Sequence, residues 1–169
     1  MKSIKEYVEN MLEKANASHL YEEHIDIERD GLIDRLLNLD EYINVDIYSD
    51  DKKYSLCSRF TSEKIARAAI KKIISLKENI LNEWWDYSRI GNRISLRVYF
   101  TNQIGEAYVK GTNFKAEPYP MYGVYLMLQK DAMLDWKIVT AYPIPNMEIS
   151  NKIEKDKEIF KHKKYKKRI

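Results

Sequence analysis

SEKIARAAIKKIISLKENILNEWWDYSRIGNRISLRVYF, residues 62–100, changes its apolar period once, and that change decides the fold class. Up to Trp84, the residues Ile65, Ala66, Ala69, Ile70, Ile73, Ile74, Ile80, Leu81 and Trp84 trace one face at helical spacing. Ser62 is placed to cap that helix, and Glu63 puts an acid where the helix dipole favours one. The spacing predicts one long helix over 62–84. Past Gly91 the period falls to two, with Ile94, Leu96, Val98 and Phe100 alternating with Arg93, Ser95, Arg97 and Tyr99, the pattern of a strand with one buried face.

On the N-terminal side, Ile4, Val8, Met11, Leu12 and Ala15 predict an amphipathic helix over 3–16, with shorter helical pieces at 20–25 and 32–39 separated by Asp30 and Gly31. The segment 42–57 reads as a short strand and an exposed loop. On the C-terminal side, Gly105 stands near a turn before a strand at 107–109, a loop spans 111–120, and strands follow at 122–128 and 136–142, ended by the prolines of PIP. Helices first and an antiparallel sheet second make the class α+β.

A chain of 169 residues, 44% hydrophobic and 33% charged, suits one core. The single cysteine, Cys57, rules out an internal disulfide, and one Cys with three His argues against a structural zinc site. A reducing compartment is expected. No run of 18 apolar residues exists, and MKSIKEYVENMLEK (1–14) lacks the apolar stretch of a signal peptide. Five glycines, none in a GxGxxG or GxxxxGK[ST] pattern, remove the usual nucleotide folds. The net charge of +3 is uneven. From Lys152 onward there are nine Lys or Arg against three Asp or Glu, a net +6, which leaves −3 for residues 1–151. A broad grip on nucleic acid is therefore not written in the composition, and KHKKYKKRI reads first as a solvated helix end.

His19 and His24 form HxxxxH, not the i, i+4 spacing of a zinc-binding helix, so each ring alone reads as a partly buried histidine bonded to backbone. Thr140 and Tyr142 stand two apart on one strand and leave the same face, which simple alternation shares with Trp136 and Ile138. Trp84 and Trp85 read as packing for a helix end. Cys57 reads as a small core residue, and the stripe Tyr119, Tyr122 and Tyr125 as a strand flank.

The order and spacing of SHLYEEHI (18–25), LIDRLL (32–37), CSRFTSEKIARAAI (57–70), ILNEWW (80–85), Gly105, Gly111 and GVYLMLQKDAMLDWKIVTAYP (123–143) add a further reading. Together they resemble the RNase A-like toxin domains at the C-termini of contact-dependent growth inhibition proteins and related bacterial polymorphic toxins. The resemblance implies N-terminal helices packed on a twisted antiparallel sheet, a pancreatic-ribonuclease-like fold without its disulfides. It also implies cleavage of RNA, tRNA in relatives, and neutralisation by a cognate immunity protein. Carried over residue by residue, it places the site on His24, on Arg35 eleven residues later, and on Thr140 and Tyr142, with His19 in a less defined role. The chain departs from the pattern at Glu23, where a basic residue is expected, at Arg59, and in a long connection over 40–56.

Such a site needs no metal and no cofactor, because the 2′-OH of RNA attacks its own phosphorus and the enzyme has only to move protons and stabilise an anion. His24 would shuttle the proton, Arg35 would fork onto phosphoryl oxygens, and the second proton-transfer group would be His19, Tyr142 or Lys137. The expected product is a 2′,3′-cyclic phosphate. The expected division of the chain is an N-terminal helix or import segment at 1–17, the RNase A-like domain at 18–146, and a charged helix or tail at 147–169. Delivery as the C-terminal part of a secreted or cell-surface protein, with action in the target-cell cytoplasm, follows from the same resemblance. The competing readings are a binding module for RNA or protein on the same fold, and a ribonuclease that serves its own host.

Overall fold

In the computed structural model of the protein, residues 3–37, 45–46, 53–54, 56–133 and 135–166 are described. The chain opens with a 3₁₀ turn, Ile4–Glu6, and a single-turn helix α1, Val8–Met11, instead of the one helix predicted over 3–16. Ile4, Val8, Met11 and Leu12 are all buried, so the two turns serve the core without a continuous helix. Helix α2, Ser18–Leu20, runs on into a π-helical turn, Tyr21–Ile25, closed by Asp26 N–H donating to Tyr21 O at 2.7 Å. Helix α3 is Arg29–Leu37. Asp30 and Gly31, read from the sequence as a break, lie inside it. Asp30 falls in the first turn, where the helix dipole favours an acid, and the break comes earlier, at Asp26. The predicted continuation to residue 39, and most of the predicted loop at 42–57, lie outside the described residues.

Strands β1, Val45–Asp46, and β2, Lys53–Tyr54, pair antiparallel, and β3, Leu56–Phe60, follows. The long helix predicted over 62–84 is two helices, α4, Glu63–Leu76, and α5, Glu78–Tyr87, joined at Lys77. Ser62 Oγ caps α4 by accepting from Ile65 N–H at 3.1 Å. Periodicity reports which face is apolar but not the direction of the axis, so a break that keeps its apolar face is invisible to it. The break lets α5 carry Trp84 and Trp85 onto Trp136, at ring distances of 5.8 and 4.5 Å.

The remaining elements are β4 (Arg93–Tyr99), β5 (Gly105–Val109), β6 (Tyr119–Met121), β7 (Gly123–Asp131), β8 (Asp135–Ile144) and α6 (Met147–Lys166). They form two antiparallel three-stranded sheets, in the orders β3-β5-β6 and β4-β7-β8. Only Tyr122 separates β6 from β7, so the chain bends from one sheet into the other there. The main core lies between the sheets and the helices, with Ile70, Ile73, Ile74, Ala107, Leu126, Ala141 and Ile153 among its buried members. A smaller cluster of Leu32, Leu36, Cys57 and Tyr108 seats α3 on β3 and β5. The fold is α+β, with one free, buried cysteine.

Two expectations about β8 are corrected. Pro143 does not end the strand but pairs with Val124, an allowed place because β8 is an edge strand. Thr140 and Tyr142 also do not share a face with Trp136 and Ile138. Met127 faces Thr140 while Leu128 faces Ile138, so Val139 is an extra residue in a β-bulge, and alternation inverts across it. Trp136, Ile138 and Ala141 are buried in the core, which leaves Thr140 and Tyr142 on the opposite face.

Candidate active site

The candidate residues meet where the two sheets and the N-terminal helices come together. His24 sits on the π-helical turn, a form of helix often found at functional sites, and is 5% exposed. Its Nδ1 lies 3.0 Å from Ser58 O on β3. A carbonyl can only accept, so the proton is on Nδ1, and Nε2 of the neutral ring holds the lone pair. Burial pushes the His24 pKa down to about 3, against the raising effect of the Ser58 bond, with the charges of Arg35 and His19 lowering it further. The ring is thus a neutral base at neutral pH.

His19 and Tyr142 flank it, with ring centroids 5.5 and 5.4 Å from that of His24. Burial raises the Tyr142 pKa, so its hydroxyl is a donor and not a base at neutral pH. Thr140, next to Tyr142 on that face, has a buried Oγ1 with no hydrogen-bond partner among the described residues. A buried polar atom left unpaired calls for an explanation, and a site awaiting a ligand supplies one.

Glu23, seen in the sequence only as a departure from pattern, binds two of the candidates. Its Oε2 is 2.8 Å from Arg35 Nη2 and 3.2 Å from His19 Nε2, and Arg35 Nη1 donates to Glu23 O at 3.4 Å. Arg35 reaches the site from α3, whose approach is fixed by Arg59. That guanidinium donates to Glu106 Oε1 across the β3–β5 pair and, at 2.9 Å, to Ile27 O in the link between the π-helical turn and α3. Glu106 stands directly opposite Arg59 on a neighbouring strand, a pairing the sequence does not display.

Ligand atoms of His19, Glu23 and His24 lie within 4.8 Å of one another, close enough to hold a metal ion. Arg35, however, already lies against the Glu23 carboxylate, and a dication would have to sit beside that guanidinium. An anion suits the cluster better than a cation. Cys57, whose pKa burial raises to about 11, is a buried thiol and no nucleophile. Trp84 and Trp85 pack on Trp136, as read from the sequence, whereas Tyr125 stacks on Tyr142 at 5.0 Å and so borders the site. Lys137 lies on β8, beyond the bulge from Thr140.

Helices packed with two antiparallel three-stranded sheets around one core, held without a disulfide, form an α+β architecture of the RNase A-like kind. The model of the bacterial CdiA-CT RNase A domain matches residues 18–143, and the chain belongs to this family of ribonuclease toxin domains of contact-dependent growth inhibition. One solved structure, a CdiA-CT/CdiI complex from Y. kristensenii 33638, is similar in fold, with 18% identity and a TM-score of 0.58 over 75% of this chain and 99% of that one. No curated protein matches the chain.

Proposed function

We propose that the chain is a metal-independent endoribonuclease that cleaves RNA by transesterification. His24 Nε2 takes the 2′-OH proton, the 2′-oxygen attacks phosphorus, and the 5′-oxygen leaves with a proton from His19, giving a 2′,3′-cyclic phosphate and a 5′-hydroxyl end. Arg35 turns its fork from Glu23 to the phosphoryl oxygens as charge builds there, and Thr140 Oγ1 and Tyr142 OH donate to the same group. The observation that carries this reading is the Ser58 carbonyl bond, which fixes His24 as the tautomer with a free basic Nε2. Burial keeps that base neutral, and the scissile phosphate is the counter-ion that makes its protonation affordable.

The CdiA-CT/CdiI complex of similar fold supports a dedicated immunity protein as partner of this domain, while tRNA as substrate and action in the cytoplasm of a target cell after delivery on a larger protein rest on the family resemblance of the sequence. Total bacterial RNA incubated with the protein in EDTA should yield discrete fragments with 2′,3′-cyclic phosphate ends. His24→Ala should reduce the rate by at least about 10²-fold while keeping its circular dichroism melt. RNA left intact but bound in stoichiometric amounts would replace the enzyme with a binding module.

A further inference from the structure

Side chains that stand directly opposite each other on neighbouring strands share a face of the sheet, so the register of β4-β7-β8 sorts residues into rungs. The rung that contains Tyr142 continues through Tyr125 to Arg97. Tyr125 stacks on Tyr142 at 5.0 Å and 20°, and the Arg97 guanidinium lies 5.6 Å from the Tyr125 ring centre. With His24 5.4 Å beyond Tyr142, four planar groups run from the candidate base out to solvent. Past the rung of Thr140, the same face carries Arg93, Gln129 and Lys137, with Arg93 Nε donating to Gln129 Oε1 at 2.9 Å. Arg93, Arg97 and Lys137 are exposed, and the rungs from Tyr99 to Arg93 contain no Asp or Glu, although the body of the chain is net acidic.

We infer that this face is the binding site for the single-stranded RNA that continues from the scissile phosphate. Arg93 and Arg97 stand about 13 Å apart along β4 and so hold different phosphates. The guanidinium plane of Arg97, backed by Tyr125, offers a base a platform. Such a platform requires an unpaired base, because a duplex presents only its phosphates to a surface of this kind. The inference rests on the ribonuclease reading of the adjoining site, but it is tested through binding.

The probe is a fluorescein-labelled 12-mer of 2′-O-methyluridine, which has no free 2′-OH to attack, titrated into the full chain at several salt concentrations. Arg93→Ala/Arg97→Ala should weaken binding at least tenfold and reduce the slope of log K against log salt by about 1.4, or 0.7 per lost phosphate contact. Arg97→Lys should keep the slope and lose about fivefold in affinity, because it keeps the charge and loses the plane. If the alanine pair melts early, Arg93→Gln/Arg97→Gln replaces it with the same expectations. Unchanged affinity and slope would overturn the inference, as would equal affinity for a duplex of the same length, or loss of immunity-protein binding with oligonucleotide binding intact. If RNA is cut and the double variant binds normally, the surface fails and the enzyme stands. If no RNA is cut and the double variant loses binding, the enzyme reading fails and the surface stands.

Discussion

His24 is held neutral at a cost that appears as pH dependence. Its pKa falls from the ordinary 6.5 to about 3 on folding, chiefly through burial, so the unfolded chain takes up this proton first as pH drops. The stability this group contributes is fully present above pH 6.5 and is lost between 6.5 and 3, at up to about 1.4 kcal/mol per pH unit. His24→Gln removes the titrating group. Its loss of stability between pH 7 and pH 5, read from urea midpoints, should be about 2 kcal/mol smaller than that of the wild type. Equal losses would show that the ring charges without penalty. Arg35 gives a different kind of prediction. It is about one third exposed, and so is its partner Glu23, so their ion pair contributes little to folding. Its value lies in the fork, which lysine lacks. Arg35→Lys should leave the melting temperature within about 2 °C of the wild type and lower kcat/KM for RNA by about 10²-fold. Activity within threefold of the wild type would remove the arginine from the chemistry.

At the scale of elements, the bulge in β8 decides which face Thr140 and Tyr142 occupy. Deleting Val139 would close the bulge with Thr140 directly after Ile138, so simple alternation and the Met127–Thr140 pairing would together keep both hydroxyls on the face opposite Ala141, which is fully buried. The deletion variant should therefore retain ribonuclease activity, as should Val139→Ala. Loss of activity with a cooperative melt would mean that the shortened strand re-registers and carries the hydroxyls away from the site. The bulge also marks how far the sequence can be read. The alternation at 93–100 was legible because every second residue of β4 meets the core. The extra residue at Val139 was not, since a bulge changes pairing and leaves composition untouched. The same limit hid the turn of axis at Lys77. His24 and Arg35 stood out through resemblance, not periodicity, and two of their partners left no usable signal. Ser58 acts through its carbonyl, which every residue has, and Glu23 meets Arg35 from twelve positions away through the fold. Nothing in HxxxxH distinguishes a buried base from an exposed ring, although His19 is half exposed and His24 is not.

For the molecule as a whole, the family match begins at residue 18, while the core does not. Ile4, Val8, Met11 and Leu12 are buried in the same cluster as Ile70, Ile73, Ile74 and Leu81. Polar bonds reinforce the contact. Asn82 Oδ1 accepts from Ile4 N–H at 3.2 Å, while Leu12 O accepts from Tyr21 OH at 2.9 Å and Arg67 Nη1 at 2.8 Å. Lys5 pairs with Glu78 at 3.0 Å on the outside. Tyr21 lies three residues before His24, so residues 4–12 brace the turn that carries the candidate base. Burying four large apolar side chains is worth about 1.5–3 kcal/mol each. Their sum is comparable with the 5–15 kcal/mol that holds an ordinary domain together. A chain starting at residue 18 should therefore lose its cooperative urea transition and bind a hydrophobic dye at 25 °C. Truncation after Phe160 should shift the urea midpoint very little, because Lys161, His162 and Lys163 are exposed and, among the described residues of α6, the buried Ile149, Ser150 and Ile153 lie upstream. A truncated chain starting at residue 18 that unfolds cooperatively at the wild-type midpoint would make the first seventeen residues an appendage. Loss of the transition would make them part of the fold, and a minimal active domain would then have to include them.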